Sequence, residues 1–232
     1  NSIDADYYAK ITTDKTTPMY SRATMQQTAP GSTFKMISAF AGMNEGVIGL
    51  NDVIKTTGYF DKTETPAKCW LYPSAHGTIG IAKAIEESCN YFFYELGYRM
   101  ACIDTGTYSD ITGVERIQKY AAMFGLDSTS GIELPESQPK ISDADAIRSA
   151  IGQSTHNYTA TQLARYVTTL ANSGTCYNLS LVSEIKDING TVVYQNEHTV
   201  YNQTEFPAEQ WNVVRQGMRQ VVSVHTSSSA LI

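Results

Sequence analysis

The sequence predicts an α+β fold in which helices dominate and the antiparallel sheet is small and incomplete. Seven stretches of the chain carry apolar residues at helical spacing. One strand pair stands out, because two strand-like stretches flank Asn189-Gly190, a dipeptide favoured in two-residue hairpin turns. The 232 residues are 42% hydrophobic and 17% charged, which is enough for one sizeable core or two adjoining subdomains.

Three of the predicted helices stop close to a glycine, the residue that favours helix C-termini. These glycines are Gly46, Gly125 and Gly174. The helices are predicted over residues 32–44, 79–87, 90–100, 109–124, 144–150, 159–172 and 208–222.

The remaining segments are predicted to be a hairpin and loops. The hairpin spans residues 181–188 and 191–195. Residues 57–75 are predicted to form a loop, and residues 223–229 a polar, serine-rich tail.

Ser32 and Lys35 are the most informative pair in the chain. They lie three residues apart at the start of a helix that follows a Pro30-Gly31 turn, so Lys35 projects toward the turn that carries Ser32. A serine hydroxyl is a weak nucleophile, and an amine accepts its proton only when burial or a neighbouring cation lowers the amine's pKa. The pattern predicts a serine nucleophile with a lysine base, in a helix start that favours developing negative charge.

Spacing alone is weak evidence for this pair, because Ser-x-x-Lys also occurs at residues 137–140 and 183–186. The first of these segments contains Pro139, and the second lies in a strand-like stretch. The Pro-Gly turn and the apolar helix face that would bury Lys35 set Ser32 apart.

Ser88 and Asn90 lie between two helix-like runs, in the only Ser-x-Asn segment of the chain. A hydroxyl near the lysine can relay a proton to a leaving amine, and an amide side chain can contact both the lysine and a substrate carbonyl. The alternative is ordinary helix capping, since Ser and Asn are favoured caps.

Composition and spacing argue against several other functions. The net charge is -6, and no basic stripe is present, so nucleic-acid binding has little support. No apolar run approaches the length that spans a membrane. The cysteines have neither paired C-x-x-C spacing nor suitably spaced histidines, so we predict no metal or other cofactor and expect free or buried thiols. They are Cys69, Cys89, Cys102 and Cys176.

Four further polar or thiol side chains are predicted to have structural rather than catalytic roles, or no role. Cys89 is expected to be a small packed side chain between the two motif residues. His76 is expected to tether a loop by hydrogen bonding. Gln162 and Arg165 are expected to be solvated on a helix surface, and no role is assigned to them.

Taken together, the segments resemble the transpeptidase domain of class B, high-molecular-mass penicillin-binding proteins, of the elongation type. The family's first two motifs are Ser-x-x-Lys and Ser-x-Asn, and the order and spacing agree over residues 20–222. Further similar segments are Cys69-Trp70, His76-Gly77, Ile151-Gly152-Gln153 and residues 159–164. In the family Ile151-Gly152-Gln153 lies near the active-site cleft.

The resemblance implies a penicillin-binding transpeptidase fold, mostly its helical subdomain, and a serine D,D-transpeptidase. Ser32 would be acylated by the D-Ala-D-Ala end of a peptidoglycan stem peptide, Lys35 would be the base, and Ser88 with Asn90 the second motif. β-Lactams would acylate the same serine. Cell-wall elongation proteins would be partners, and the protein would be extracytoplasmic, anchored to the membrane through a segment outside residues 1–232.

The family has a third motif, Lys-Thr-Gly, on a later strand, and no such motif follows Asn90 in this sequence. Residues 1–232 are therefore expected to be a partial transpeptidase domain, without the family's opening strands and its Lys-Thr-Gly strand. Two alternatives remain open. One is a serine β-lactamase or β-lactam sensor, although Asn90 argues against the class D type. The other is a non-catalytic fragment that binds cell-wall peptide or partner proteins.

Overall fold

The computed structural model describes residues 4–223, and the predicted tail lies outside the described residues except for Ser223, which ends the last helix. Within this range the helices are α1 Ala5–Thr13, α2 Arg22–Met25, α3 Lys35–Asn44, α4 Ile81–Glu86, α5 Asn90–Ala101, α6 Asp110–Met123, α7 Ala146–Ser149, α8 Ala160–Ala171 and α9 Ala208–Ser223. A 3₁₀ turn, Gly31–Phe34, leads directly into α3.

All seven predicted helices are present, with ends that differ from the prediction by at most two residues except at residues 32–34, where the helix starts as the 3₁₀ turn. Gly46, Gly125 and Gly174 all adopt left-handed backbone angles, so the predicted stops are confirmed. Helices α1 and α2 were not predicted. No residue of α1 is buried, so the core does not support this helix, and its start is capped by the Asp4 side chain, which accepts from the Tyr7 N–H.

The strands of residues 4–223 form small two-stranded antiparallel sheets. They are β1 Gln27–Thr28 with β6 Tyr158–Thr159, β2 Ile54–Lys55 with β5 Thr78–Ile79, β3 Tyr59–Phe60 with β4 Ala67–Lys68, β7 Thr175–Tyr177 with β10 Val200–Gln203, and β8 Glu184–Lys186 with β9 Val192–Gln195. The predicted hairpin is β8 and β9. The α+β prediction is confirmed, but residues 57–75 are not all loop. Strands of two residues, such as β3 and β4, are too short to show the alternation of apolar and polar residues by which a strand is predicted from sequence.

The core is centred on α3, eight of whose ten residues are buried. Phe40 of α3 packs against Phe124, Phe206 and Trp211, with ring centroids 4.5–5.5 Å apart. This aromatic cluster joins the helix that begins at Lys35 to α9 and to the end of α6. The segment carrying Ser32 and Lys35 is thereby held on a rigid support.

The expectation that Gln162 and Arg165 are solvated is wrong, since both side chains are fully buried. The Gln162 side chain accepts from the Thr159 N–H and completes a capping box at the start of α8. The Arg165 guanidinium donates to the backbone carbonyls of Gly125, Ser128 and Thr129. A buried cation is thus compensated by carbonyl oxygens, which sequence polarity alone does not reveal.

Candidate active site

Ser32 lies exposed in the 3₁₀ turn. Hydrogen bonds to the backbone of this turn hold it in position. Gly31 has a φ of 55° and donates its N–H to the Gly152 carbonyl over 2.9 Å. Behind the turn, Tyr166 donates its hydroxyl proton to the Thr33 carbonyl over 2.7 Å. The family expectation that Ile151-Gly152-Gln153 lies near the cleft is met by the Gly31 contact.

Lys35 is the first residue of α3, and its side chain is only 2% exposed. Its ammonium group donates to three acceptors, which are the Ser88 carbonyl at 2.7 Å, Ser88 Oγ at 2.9 Å and Asn90 Oδ1 at 2.6 Å. Among the residues that the structure describes, it forms no ion pair with a carboxylate. All three hydrogen-bond acceptors belong to the second predicted motif, and the ammonium group also lies 5.6 Å from the centroid of the Phe93 ring.

Ser88 connects Ser32 to Lys35. Its Oγ lies 2.9 Å from Ser32 Oγ and 2.9 Å from Lys35 Nζ. Ser88 itself has a left-handed backbone, with φ at 47°, between α4 and α5. Such a conformation is uncommon for a non-glycine residue and concentrates at functional sites. The four residues predicted as the site, Ser32, Lys35, Ser88 and Asn90, are brought together in one hydrogen-bonded cluster.

Burial changes the acid-base properties of the lysine. Desolvation lowers the pKa of Lys35 from its ordinary value to about 8, against smaller opposing effects of the Cys89 and Cys69 thiols, which raise it. The ammonium form is therefore less favoured than in an exposed lysine. About a tenth of the lysine is neutral at pH 7 if its pKa is about 8.

A cavity of about 320 Å³ opens beside the cluster, lined by Ser32, Lys35 and Ser88 on one side. Its remaining lining is mostly apolar and comes from Thr33, Met36, Ile85, Met218, Val221 and Val222. A larger cavity of about 550 Å³ lies elsewhere, between residues 62–65 and the Asp110 and Asp145 carboxylates. We assign the chemistry to the smaller cavity, because it alone of the two contains a hydroxyl held next to a buried amine.

The structure places Cys69, His76 and Cys89 together, although their spacing in the sequence argued against a metal site. Cys69 Sγ lies 4.0 Å from Cys89 Sγ and 3.8 Å from His76 Nδ1, and the three ligand atoms lie within 4.8 Å of one another. Two thiols and an imidazole are donors that zinc accepts, so these are the residues that could hold a metal beside the second motif. The hydrogen bond between the thiols lowers the pKa of Cys69 and raises that of Cys89.

The structural interpretations of Cys89 and His76 agree with the structure. Cys89 is fully buried, as predicted for a packed side chain, and all four cysteines are free thiols. His76 contacts a buried thiol and the Trp70 ring, with ring centroids 5.3 Å apart, in keeping with loop tethering.

His156 is a supporting residue that sequence reasoning missed. Its ring lies 4.4 Å from that of Phe34, the residue immediately before Lys35. Nδ1 accepts from the Ser142 N–H at 3.1 Å, and Nε2 donates to the Ser149 carbonyl at 3.2 Å. Burial lowers the pKa of His156 to about 4, so the ring is neutral when it supports the 3₁₀ turn. Its contacts with Phe34 and Ser142 join segments distant in sequence, although Nδ1 also lies 2.8 Å from the Tyr158 hydroxyl, two residues away.

The cluster contains the first two motifs of the penicillin-recognising serine enzymes on an α+β fold. Residues 3–231 match the family described as the penicillin binding protein transpeptidase domain. Because this match covers almost the whole chain, the protein belongs to that family, and the predicted resemblance to class B penicillin-binding proteins is confirmed.

Two relatives and one solved structure illustrate the similarity. The chain is 28% identical over 221 residues to penicillin-binding protein 2A of Bacillus subtilis, covering 88% of this chain and 30% of the relative. It is 28% identical over 243 residues to the peptidoglycan D,D-transpeptidase MrdA of Haemophilus influenzae, covering 96% of this chain and 35% of the relative. An imipenem acyl-enzyme complex of penicillin-binding protein A from M. tuberculosis superposes with a TM-score of 0.75 at 20% identity, covering 94% and 49% of the two chains.

The chain spans about a third of the length of the two relatives. No helix within residues 4–223 is long and apolar enough to cross a membrane. The expectation that residues 1–232 form a partial transpeptidase domain stays a prediction.

Proposed function

We propose that the protein is a serine D,D-transpeptidase that crosslinks peptidoglycan stem peptides through an acyl-enzyme on Ser32. The observation that carries this proposal is the continuous contact from Ser32 Oγ through Ser88 Oγ to the buried Lys35 amine. An amine that is buried without a carboxylate and held by neutral acceptors is suited to accept a proton. Membership of the transpeptidase family supports the same reaction.

In the proposed acylation step, Ser32 Oγ attacks the carbonyl carbon of the D-Ala-D-Ala amide. Its proton passes to the neutral Lys35 amine, with Ser88 Oγ between them as relay. The Ser32 N–H, which follows the Gly31 N–H that donates to Gly152, stabilises the oxyanion. Collapse of the tetrahedral intermediate breaks the amide bond, and the departing D-alanine amine takes the proton back along the same path.

In the deacylation step, an amine from a second stem peptide attacks the ester carbonyl. The proton it loses moves by way of Ser88 to Lys35, and Ser32 leaves as its hydroxyl when the proton returns to it. Asn90 holds the lysine through its Oδ1, which leaves its amide N–H groups available to a substrate carbonyl.

We further propose the setting in which this reaction takes place. The substrates are D-Ala-D-Ala stem peptides, and β-lactams acylate the same serine. The partners are cell-wall elongation proteins, and the protein is extracytoplasmic and anchored through a segment outside residues 1–232. The similarity to a peptidoglycan D,D-transpeptidase supports this setting.

Intact mass after incubation with a penicillin tests the proposal directly. We expect one adduct that maps to Ser32 and is absent from Ser32→Ala. The matched control is Ser183→Ala, because Ser183 begins another Ser-x-x-Lys segment but lies exposed far from α3 in sequence. An adduct that persists in Ser32→Ala, or no adduct in the unaltered chain, would overturn the proposal.

The same experiment separates the alternatives. A β-lactamase would release the acyl group within minutes, whereas a transpeptidase retains the penicilloyl ester. Binding of stem peptide that Ser32→Ala leaves unchanged, without any adduct on the unaltered chain, would favour a non-catalytic binding protein.

A further inference from the structure

Three aromatic side chains lie exposed on the segment between β2 and β5. They are Tyr59, Trp70 and Tyr72, here called the aromatic platform, and Trp70 is the most exposed at 58%. In the same segment Phe60 is completely buried and Cys69 is almost completely buried. Within this one segment, some apolar side chains are thus buried in the core while others, only one or a few residues away, lie on the surface. The Tyr59 and Tyr72 rings lie against each other, with Trp70 two residues before Tyr72, and contiguous exposed apolar surface is typical of binding sites.

Strand pairing explains why part of this segment faces outward. Tyr59 pairs with Lys68 across the short sheet, and Phe60 pairs with Ala67. Because neighbouring residues of a strand point to opposite faces, Phe60 and Ala67 enter the core while Tyr59 and Lys68 share the outer face. The exposed tyrosine is thus held in place by the pairing beneath it.

Direct contacts hold the other two rings in place. Trp70 Nε1 donates to the Glu87 carbonyl over 3.1 Å, which fixes the indole against the segment that leads into Ser88. The Tyr72 ring lies 5.8 Å from the Tyr59 ring, and Lys68 Nζ lies 4.6 Å from its centroid. The ammonium group covers one face of Tyr72, so a ligand would pack on the other face of a ring that is already held in place, and little side-chain entropy would be lost on binding.

The aromatic platform adjoins the proposed active site. The carbonyl that holds Trp70 belongs to Glu87, the residue immediately before Ser88, and Ser88 Oγ lies 2.9 Å from Ser32 Oγ. A polymer whose side branch enters the cleft at Ser32 would pass close to Trp70, the ring of the platform that contacts this segment.

We propose that the aromatic platform binds the glycan backbone of the peptidoglycan strand, an N-acetylated amino-sugar polymer, whose stem peptide is presented to Ser32. This inference rests on the proposed function. The stem peptide would react at the cluster of Ser32, Lys35, Ser88 and Asn90, and the aromatic platform would bind the glycan to which that peptide is attached. Each pyranose ring has a face of C–H bonds that packs on an aromatic ring, while its hydroxyl and acetamido groups stay at the edge. Tyrosine and tryptophan suit such a ligand because they combine an apolar face with a polar edge.

Lys68 adds a donor at the same surface. It is exposed, and within residues 4–223 it takes part in none of the recorded ion pairs. Its ammonium group can donate to acetamido carbonyls, which a polar saccharide offers in every repeat. A protein partner would instead be expected to meet an apolar centre surrounded by a rim, whereas these rings have a charged residue among them.

The test uses the whole chain and two defined probes, the N-acetylglucosamine hexamer and glycan strands freed of stem peptides by an amidase. Binding is measured by calorimetry and by the fluorescence of Trp70 in a Trp211→Phe background, since Trp70 and the buried Trp211 are the only tryptophans. We expect saturable binding with a change in Trp70 emission. Trp70→Ala and Tyr72→Ala should each weaken affinity by about 3- to 10-fold.

Tyr194→Ala is the matched control, because Tyr194 is as exposed as Tyr72, at 44%, but lies in the β8–β9 hairpin. It should leave glycan affinity unchanged. Circular dichroism melts accompany each variant, and if Trp70→Ala fails to fold, Tyr59→Ala replaces it. No binding to the unaltered chain at millimolar hexamer, or an equal loss in Tyr194→Ala, would overturn the inference.

Penicillin acylation of the unaltered chain, measured in parallel, separates this inference from the proposed function. Acylation of Ser32 without glycan binding would refute the aromatic platform and leave the transpeptidase proposal intact. Glycan binding without acylation would do the reverse, with the rings binding the polymer and Ser32 unreactive.

Discussion

Lys35 Nζ lies 2.6 Å from Asn90 Oδ1, and this neutral amide takes the position that a carboxylate occupies in an ordinary buried ion pair. The distinction matters because an anionic partner would stabilise the ammonium form, while a neutral acceptor leaves burial as the dominant influence on the pKa. The contact therefore holds the lysine firmly in position without preventing it from losing its proton.

The pH dependence of acylation should follow the lysine. The pKa of Lys35 is lowered to about 8 by burial, and the neutral amine is the form that accepts a proton. The rate constant for penicillin acylation should thus rise about tenfold per pH unit below 7 and level off above about 8. Stopped-flow or gel-based acylation from pH 6 to 9.5 measures this. A profile that is flat over that range would exclude Lys35 as the titrating base.

Replacing Asn90 by Asp should move that profile to higher pH. A carboxylate 2.6 Å from the amine favours the ammonium form, so the pKa of Lys35 rises. A shift of one pKa unit makes acylation about tenfold slower at pH 7. The same pH series on Asn90→Ala is the control, because it removes the contact without adding charge. If both variants shift equally, charge is not the cause.

Gly152→Ala should damage both stability and acylation. A Cβ at this position would lie 2.2 Å from the Gly31 carbonyl oxygen and 2.7 Å from Phe34 Cβ, so the turn that carries Ser32 has to move. We expect a loss of about 3 kcal/mol or more in the free energy of unfolding. Urea denaturation measures it, together with the acylation rate.

Gly46→Ala is the matched control for this substitution. Gly46 has a φ of 71°, close to the 74° of Gly152, but nothing lies within 4 Å of its Cβ position. Gly46→Ala should lower the free energy of unfolding by only about 1 kcal/mol, because it adds backbone strain but no steric contact. Equal losses in the two variants would mean that backbone strain, and not contact with the Ser32 turn, determines the effect.

His156 should make the protein sensitive to acid. Its folded-state pKa is about 4, below the ordinary value of a histidine, so the unfolded chain binds a proton first as the pH falls. The stability that the neutral ring contributes is present above about pH 6.5 and is lost between pH 6.5 and 4, by ~3 kcal/mol in total. Urea unfolding at pH 7.5, 5.5 and 4.5 follows the loss.

The comparison that isolates this effect is His156→Gln against His198→Gln, since His198 is exposed. Only His156→Gln should reduce the difference in stability between pH 7.5 and 4.5. If the exposed variant reduces it as much, the buried ring is not responsible.

By itself, the sequence predicted seven of the helices within residues 4–223, missing α1 and α2, and it indicated the four residues of the proposed site. Amphipathic spacing reveals long helices such as α6 and α9, because the face that packs on the core repeats along the chain. Ser32, Lys35, Ser88 and Asn90 were recognisable because each pair is close in sequence, within a turn or at a helix start.

Tertiary structure alone decided which of these groups touch and what supports them. The relay through Ser88, the approach of Cys69 and His76 to Cys89, and the packing of His156 on Phe34 all join segments distant in sequence. The burial of Arg165 was likewise hidden, because its compensating carbonyls belong to another part of the chain. Local patterns record which face of an element is apolar, but not what lies against it, and the pKa of Lys35 depends on what lies against it.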